Sequence, residues 1–547
     1  MILRRNIVRA LALSLAAVLA LLSGCARQEA PSPLPDIDTY GMSNIYSQPR
    51  ATASPFVELS IAIVTEPGAS TNPIFAVERD IVSLNKLSFE SLVELDDALR
   101  PVPLLADRWE RDGSTWIFYL RGGANPIHFH NGPLLTAHDV VASYNAILQA
   151  GVDGIRTPYF NRLTALVNNM TAIDDLTLAV NAKASYFTLY AMNFPVIQRD
   201  TIFTGDPMGT GPFWCVARSA QPLKLERNPH WWQRHPKQDY IQSLTAIRYN
   251  TAEAALLAFD QKAVDLIATR SIAAALSRSL SDRMTLDFST LTYEMIVPNI
   301  AKNSILADPV VRQAIMYAID RDELASTVYL DMVQKTEVPV LPGSWLYEPQ
   351  STKYNYYPEL ALKMLLDAGW SDTNDDYVLD RVRDGMFQDL SLRLVTYTEP
   401  IYASRYEAVK LIEKQLARVG IKVNVATVSK TQMRTLLQNG DFDLALIAND
   451  MSELPDLHFL LSSQGGGSFS GYQSEMMELH LQAARGAQNE EDLITAMSRV
   501  QLQLVEDLPI MGLFFRSGVL ASRKDLSGLT AIRESDMLRG VEFIGAD

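Results

Sequence analysis

The stretch that decides the fold covers residues 89–144 and reads FESLVELDDALRPVPLLADRWERDGSTWIFYLRGGANPIHFHNGPLLTAHDVVASY. Pro101–Pro103 marks an extended segment, and Asp112–Gly113 has the composition of a turn. Alternate apolar residues follow the turn, at Trp116, Phe118 and Leu120. Strict alternation of this kind predicts a strand with one buried face, so the stretch is expected to form a small α/β unit.

Local signals at both ends of the stretch predict helical structure. Leu92 and Val93 are expected to lie in a short apolar helix or turn. Thr136 has the position of a helix N-cap, and Asp139 follows three residues later, in front of the apolar Val140, Val141 and Tyr144. A hydroxyl and a carboxylate at this spacing can satisfy free backbone N–H groups of the first turn, which predicts a helix that begins after Thr136.

The order of these pieces resembles the signature of the family-5 solute-binding proteins, the peptide- and nickel-type receptors of ABC importers. Further similar segments follow in the family's order: Gly209–Thr210–Gly211–Pro212–Phe213, then Asp308–Arg321 (DPVVRQAIMYAIDR), then Leu508–Phe515 (LPIMGLFF). The resemblance extends over about residues 57–519. It implies an α/β, bilobal, type II periplasmic-binding-protein-like fold with an additional small inserted lobe.

The resemblance also implies a division of the chain into lobes. Lobe I would comprise residues 56–85, 185–268 and 505–547; the small inserted lobe, residues 86–184; and the α/β lobe III, residues 269–504. A chain of 547 residues exceeds the length at which single cores stop growing, which independently favours several domains.

The N-terminus has the pattern of a lipoprotein signal peptide over residues 1–24. Basic residues precede the apolar segment Ala10–Leu22, which is too short for an ordinary membrane span, and small residues stand in front of Cys25. This pattern predicts lipidation of Cys25, with a plain signal peptide or an uncleaved anchor as alternatives. Residues 25–55 are rich in Pro, Ser and Ala and are expected to form a flexible tether.

Composition excludes some functions. Lys and Arg number 48 against 63 Asp and Glu, a net charge of −15, which is unsuited to binding nucleic acid through its phosphates. No Gly-x-Ser-x-Gly motif is present, and we expect no enzyme. The histidine pairs His128/His130 and His230/His235 have no third ligand at metal spacing, and the acidic loop at 372–383 does not match a calcium loop, so neither a metal nor a cofactor is expected.

The candidate ligand site follows the strand predicted at Phe442–Ala448. In the oligopeptide-binding relatives, a tryptophan and then an aspartate come after this strand, and the aspartate meets the peptide's amino group. Asn449 and Ser452 stand at those positions here, so Asp450 or Glu453 would have to supply the charge. Ligand-binding candidates are Val77, Tyr293, Met295, Asn449, Asp450, Glu453 and Phe514.

These observations favour a lipid-anchored receptor on the outer face of the bacterial cell membrane or in the periplasm. It would capture a small ligand and deliver it to the permease and ATPase subunits of an ABC importer. A peptide is the best-supported class of ligand. A nickel chelate, haem or sugar is the alternative ligand within the same fold. An envelope structural lipoprotein or a hydrolase is less well supported, because neither explains the ordered family segments.

Overall fold

A computed structural model of the chain describes residues 58–544, except 124, 184, 217, 219–220, 235–240, 301–304, 384, 400–403 and 530. The predicted signal peptide, the predicted lipidation site Cys25 and the predicted tether lie outside the described residues. Within the described part, no helix has both the length and the apolar character required to cross a membrane.

The described residues form nineteen strands. They are β1 Glu58–Val64, β2 Val93–Leu95, β3 Pro101–Pro103, β4 Ala106–Asp112, β5 Thr115–Leu120, β6 Val167–Ala172, β7 Thr177–Ala182, β8 Phe213–Cys215, β9 Leu223–Arg227, β10 Ser243–Tyr249, β11 Leu266–Thr269, β12 Met284–Pro298, β13 Val333–Lys335, β14 Asp380–Arg383, β15 Met386–Asp389, β16 Ser391–Tyr397, β17 Lys422–Val428, β18 Leu444–Asp450 and β19 Met511–Ser522.

The α-helices of the described chain are distributed between these strands. They span Arg79–Lys86, Ala137–Val152, Phe160–Leu166, Thr188–Ala191, Ala252–Asp260, Pro309–Ala318, Arg321–Thr327, Pro358–Asp367, Ser404–Ala417, Lys430–Asn439, His458–Leu461, Glu475–Gly486 and Glu490–Asp507. The helix at Pro309 begins as its sequence predicts, since the carboxylate of Asp308 accepts a hydrogen bond from Val310 N–H at 2.9 Å.

One large sheet runs in the order β17-β16-β18-β12-β19-β11-β1-β10-β9-β8, with β13 added on β19. Strands β16, β17 and β18 are mutually parallel, as the alternation of strands and helices after Leu392 predicts. Strand β12 joins them antiparallel to β18, and β1 is parallel to both β10 and β11. The carboxyl ends of β16 and β18 therefore lie at the same edge of the sheet.

Two long strands connect the halves of this sheet. Strand β12 has 15 residues and β19 has 12, and they pair antiparallel with each other. Their register is interrupted between Ser289 and Tyr293 of β12, which face Ser517 and Phe515 of β19. The extra residues form a bulge that includes Leu291, and a bulge redirects the side chains of the strand that contains it.

Residues 89–144 contribute β4 and β5 to a separate four-stranded sheet in the order β4-β5-β7-β6. Trp116, Phe118 and Leu120 are buried, as their alternation predicts. Thr136 N–H donates to the Asp139 carboxylate at 3.0 Å, and the helix begins at Ala137. The helix or turn expected at Leu92–Val93 is wrong, because Val93 opens β2, which pairs antiparallel with β3. Pairing with β3, and not the local apolar pattern, determines the secondary structure at Val93.

Candidate functional site

A cavity of about 460 Å³ lies beyond the carboxyl end of β18. Its walls come from the end of the helix Arg79–Lys86, from residues 87–97, from the loop after β18 and from residues 533–543 of the C-terminal segment. Pockets that hold small ligands have volumes of roughly 300–1,000 Å³, so the size suits a small molecule. We call this space the main cavity.

A second cavity of about 30 Å³ shares Leu291, Ser452 and Glu453 with the main cavity. Leu291 belongs to the bulge of β12, and Ser452 and Glu453 follow directly after β18. The bulge and the end of β18 therefore meet where the two cavities join. A hydrogen bond from Met451 N–H to the carbonyl oxygen of Leu291, 2.8 Å long, holds these two segments together.

Glu453 is the predicted residue that lines both cavities, and its side chain is only 15% exposed. Its Oε1 lies 3.7 Å from Nζ of Lys86, the last residue of the helix Arg79–Lys86. Its Oε2 accepts a hydrogen bond of 3.5 Å from the side-chain amide of Asn193. Arg162, which also lines the main cavity, donates to the carbonyl oxygen of the same Asn193.

Positive charges around Glu453 keep it ionised. Burial by itself would raise the pKa of this carboxyl group, but Lys86, Arg533 and Arg162 outweigh it and hold the pKa below its ordinary value. Arg533 is fixed by hydrogen bonds to the carbonyl oxygens of Leu95 and Asp96, at 2.7 and 3.0 Å. The main cavity thus presents a carboxylate that is already charged before any ligand arrives.

A second carboxylate of the main cavity, Glu90, has different partners. It accepts hydrogen bonds from the indole N–H groups of Trp231 and Trp232, at 3.0 and 3.1 Å, and from the Thr210 hydroxyl at 2.7 Å. Burial raises the pKa of Glu90 to about 7, although these three donors oppose the shift. The carboxyl group therefore changes its charge close to neutral pH.

Two other predicted site residues flank the end of β18 without lining either cavity. Asp450 is exposed, accepts from the Thr292 hydroxyl at 2.8 Å and pairs with Arg79 at 3.4 Å. Asn449 is half-buried opposite Tyr293 of β12. Val77 is 37% exposed and lies just before the helix Arg79–Lys86, away from both cavities. Of the two acidic candidates, only Glu453 reaches the main cavity.

The remaining predicted residues are enclosed within the sheet. Tyr293, Met295 and Phe514 are fully buried, and the Tyr293 hydroxyl donates to the carbonyl oxygen of Glu337 at 2.9 Å. The smaller cavity is lined instead by Phe515, the neighbour of Phe514 in β19. Consecutive side chains of a strand point to opposite faces, so only one of the two can face the cavity. As ligand contacts, the three buried residues stay predictions.

Several residues of the main cavity were missed by the sequence analysis: Lys86, Glu90, Trp231, Arg533 and Glu542. The one usable signal is Glu90, which is the only charged residue of the segment 87–93 (LSFESLV). The charged segment around residues 533–542 shows no local sequence pattern that would indicate a site. Its hydrogen bonds are with residues 95 and 96, which lie more than four hundred positions earlier. Within the described chain, no group of three or more His, Cys, Asp or Glu side chains could hold a metal ion.

Comparisons with known proteins agree with this architecture. The family model described as bacterial extracellular solute-binding proteins, family 5, middle, matches residues 100–471. The oligopeptide-binding protein AppA of Bacillus subtilis (strain 168) is 24% identical over 495 residues, which cover 86% of this chain and 88% of AppA.

Solved structures show the same fold. The unliganded open form of MppA, a periplasmic murein tripeptide binding protein, superimposes with a TM-score of 0.76 at 18% identity and covers 90% of this chain and 98% of MppA. A nickel ABC transporter protein from Bacillus halodurans superimposes with a TM-score of 0.74 at 20% identity. The match covers 90% of this chain and 99% of the Bacillus halodurans chain. The α/β, type II periplasmic-binding-protein fold expected from the sequence is confirmed.

Proposed function

Because this chain is a member of family 5 of the bacterial extracellular solute-binding proteins, and so a binding receptor and not an enzyme, we propose that it captures a small peptide in the main cavity and delivers it to an ABC importer. The permease and ATPase subunits of that importer would be its partners at the membrane. The peptide assignment is supported by the names of relatives such as AppA and MppA.

The observation that carries the proposal is the charged, largely enclosed Glu453. A carboxylate that is ionised, 15% exposed and directed at a cavity of about 460 Å³ can accept the ammonium group at the N-terminus of a peptide. Glu453 would then take the role that an aspartate has in the oligopeptide-binding relatives. Ser452, at the aligned position of that aspartate, would contribute only its hydroxyl and backbone.

Capture by closure of lobes fits the course of the main chain. In this proposal, lobe I comprises residues 56–85, 185–268 and 505–547, the inserted lobe residues 86–184 and lobe III residues 269–504. β12 and β19 pair along the boundary, and the bulge at Leu291 is a natural point for bending. Lipid attached to Cys25 would keep the receptor at the outer face of the membrane or in the periplasm.

Native mass spectrometry tests the proposal. The full chain, purified in detergent, is mixed with a library of di- to tetrapeptides that have free N-termini and with the same library acetylated at the N-terminus. We expect peptides with free N-termini to be retained, and Glu453→Gln to weaken their binding by about tenfold to a hundredfold, the cost of removing a charged hydrogen bond. Retention of no peptide, or equal retention of both libraries, would contradict the proposal.

A nickel chelate is a second candidate, suggested by the similarity to the Bacillus halodurans nickel transporter protein. Such a ligand needs no free N-terminus. Titration of the full chain with nickel and free histidine therefore separates the two ligands: saturable heat with nickel–histidine, together with no retained peptide, would favour the metal chelate.

A further inference from the structure

The walls of the main cavity have more negative than positive groups. Its described lining residues include the carboxylates Glu90, Glu94, Asp97, Glu453, Asp536 and Glu542. They also include the cationic side chains of Lys86, Arg162, Arg533 and Arg539. Six carboxylates against four cations leave two carboxylates in excess, so the space as a whole favours a ligand with positive charge.

Two of the four cations pair with four of these six carboxylates, and the other two donate to backbone carbonyl oxygens. Lys86 lies 3.7 Å from Glu453 and 3.8 Å from Asp536. Arg539 pairs with Asp97 at 3.4 Å, with Asp536 at 3.5 Å and with Glu94 at 3.9 Å.

Arg533 and Arg162 donate to carbonyl oxygens of the main chain. Among the residues that the structure describes, Glu90 and Glu542 are therefore the lining carboxylates without an ion pair.

Glu90 is surrounded by neutral donors. The two indole N–H groups and the Thr210 hydroxyl stabilise its charge but do not neutralise it. With its pKa at about 7, Glu90 is partly ionised at neutral pH, and attraction to a cation that enters the cavity favours the ionised form without competition from a protein cation. Glu90 is 6% exposed, so this attraction acts in a setting of low polarity, where it is little screened.

Glu542 has an open acceptor. Its Oε2 is buried and accepts no hydrogen bond from any described residue. An unsatisfied buried carboxylate oxygen costs free energy, which a donor on a bound ligand would recover. Burial raises the pKa of Glu542 to about 7; the hydrogen bond from its own backbone N–H and the charge of Arg539 oppose the shift, while Asp536 and Glu94 add to it.

Aromatic rings connect the two carboxylates. Trp231 donates its indole N–H to Glu90, and its ring lies 5.5 Å from the ring of Phe543, the residue next to Glu542. Phe543 is 41% exposed, and both rings line the main cavity. Aromatic faces attract organic cations, especially Arg and Lys groups that have lost their water. We call Glu90, Trp231, Glu542 and Phe543 the acidic corner.

We propose that the acidic corner binds a side-chain ammonium or guanidinium group of the ligand, so that the receptor selects peptides containing lysine or arginine. The inference rests on the proposed peptide function and adds the class of peptide. In the bound state, the N-terminal ammonium lies at Glu453 and the second cation lies between Trp231, Phe543 and the two free carboxylates.

The peptide library described above provides the test. The best retained sequence is resynthesised with lysine, with norleucine, which has a similar length and no charge, or with glutamate at each position, and titrated by calorimetry into the full chain. At one position, we expect the peptide with lysine to bind at least about tenfold tighter than the peptide with norleucine. This difference corresponds to the free energy of one cation–π contact plus one buried charged hydrogen bond. Glutamate at that position is expected to abolish binding.

Glu542→Gln should reduce the lysine preference, which is the ratio of the affinities for the lysine and norleucine peptides, severalfold. Glu253→Gln, which alters an exposed carboxylate on the helix Ala252–Asp260, serves as the matched control and should change neither affinity. If peptides bind without a preference for lysine, or if the preference persists in Glu542→Gln, the proposal that the acidic corner binds a side-chain cation is wrong. The proposed peptide function is not affected by either result. Retention of no peptide overturns the peptide function, and the inference fails with it.

Discussion

Nζ of Lys86 lies 3.7 Å from Oε1 of Glu453 and joins the end of the helix Arg79–Lys86 to the loop that follows β18. The two residues are far apart in the sequence and come from opposite halves of the large sheet, where β1 and β18 are separated by β11, β19 and β12. A lysine in the last turn of a helix is also favoured by the helix dipole. The pair therefore links the two halves of the sheet at the main cavity.

The first prediction concerns the charge of Glu453. Lys86 is the strongest of the groups that lower its pKa, so Lys86→Gln should raise that pKa. Protonated Glu453 cannot bind an ammonium group. Between about pH 5 and pH 7, the affinity for a retained peptide that carries norleucine in place of lysine, and so does not engage Glu90 and Glu542, should therefore stay nearly constant in the wild-type chain and fall severalfold toward pH 5 in Lys86→Gln, as measured by calorimetry.

Lys363→Gln is the control, because Lys363 is exposed on its helix and, among the described residues, forms an ion pair only with Asp367. Its pH profile should match that of the wild type. An unchanged profile in Lys86→Gln would show that Lys86 does not control the ionisation of Glu453.

The second prediction concerns Gly209. A Gly-Thr-Gly sequence is typical of a tight turn or a left-handed backbone, but neither Gly209 nor Gly211 has a positive φ. Glycine is required at 209 for space, since a Cβ there would lie 2.0 Å from the carbonyl oxygen of Ser88. Gly209→Ala should lower the free energy of unfolding by about 2 kcal/mol or more, as expected of an overpacked site.

Gly205 provides the comparison, because a Cβ at this position meets no atom within 4 Å. Urea denaturation should give Gly205→Ala a stability within about 0.5 kcal/mol of the wild type. Equal stabilities of the two variants would mean that the Gly209 loop can move away from Ser88 at no cost.

The third prediction concerns a buried ion network on β12. Glu294 is fully buried and accepts hydrogen bonds from Arg405 at 2.9 Å and from Arg516 at 2.6 Å. Glu399 pairs with both arginines as well. Glu294→Ala leaves two largely buried guanidinium groups short of negative charge, so we expect a loss of about 3–5 kcal/mol in the free energy of unfolding.

Asp287→Ala is the matched control on the same strand. Asp287 pairs with Arg278 but is 53% exposed, and exposed pairs contribute at most about 1 kcal/mol. If urea denaturation gave both variants a similar small loss, the buried network would not stabilise the junction of β12 and β19.

The order of the family segments was sufficient to predict the fold, because each segment carries its own local signal. Thr136 and Asp139 illustrate this: the helix start depends on residues three positions apart, and a sequence shows such spacing directly. Glu90 is the opposite case. Its partners Trp231 and Trp232 lie 141 and 142 positions away, and no local pattern indicates that they meet.

The neighbouring residues Phe514 and Phe515 show a second limit of prediction from the sequence. Strand β19 is buried along nearly its whole length, so alternation does not reveal which face a residue occupies. In addition, the register against β12 shifts between Glu294 and Met295, opposite Phe514 and Gly512. A shift of one residue exchanges the two faces, and it depends on the partner strand.

The last prediction concerns His130 and Glu90, which hold the same loop. His130 donates from Nε2 to the carbonyl oxygen of Gly211 at 3.1 Å, while its Nδ1 accepts from Gly209 N–H at 3.3 Å. Thr210 between them donates to Glu90. Burial lowers the pKa of His130 to about 4, assisted by the charge of Arg218 and opposed by the bond to Gly211. Burial raises the pKa of Glu90 to about 7.

The two shifts act on stability in opposite directions. At pH values between the pKa of His130 in the folded chain and its ordinary pKa, the folded chain binds fewer protons at His130 than the unfolded chain does. The contribution of His130 to the free energy of unfolding therefore increases as the pH rises. At Glu90 the folded chain binds more protons than the unfolded chain does, so the contribution of Glu90 to the free energy of unfolding decreases as the pH rises. Between about pH 5 and pH 6.5 each contribution changes by about 2 kcal/mol, and the two nearly cancel.

Single variants should separate them. Relative to the wild type, the free energy of unfolding of Glu90→Gln should rise from about pH 5 to pH 6.5, because only the histidine contribution remains. That of His130→Gln should fall over the same interval, because only the carboxyl contribution remains. Urea denaturation at several pH values measures both slopes, and the slopes are independent of any uniform loss of stability in either variant. If both variants kept the wild-type slope, the neutral imidazole and the protonated Glu90 would not be features of the folded loop.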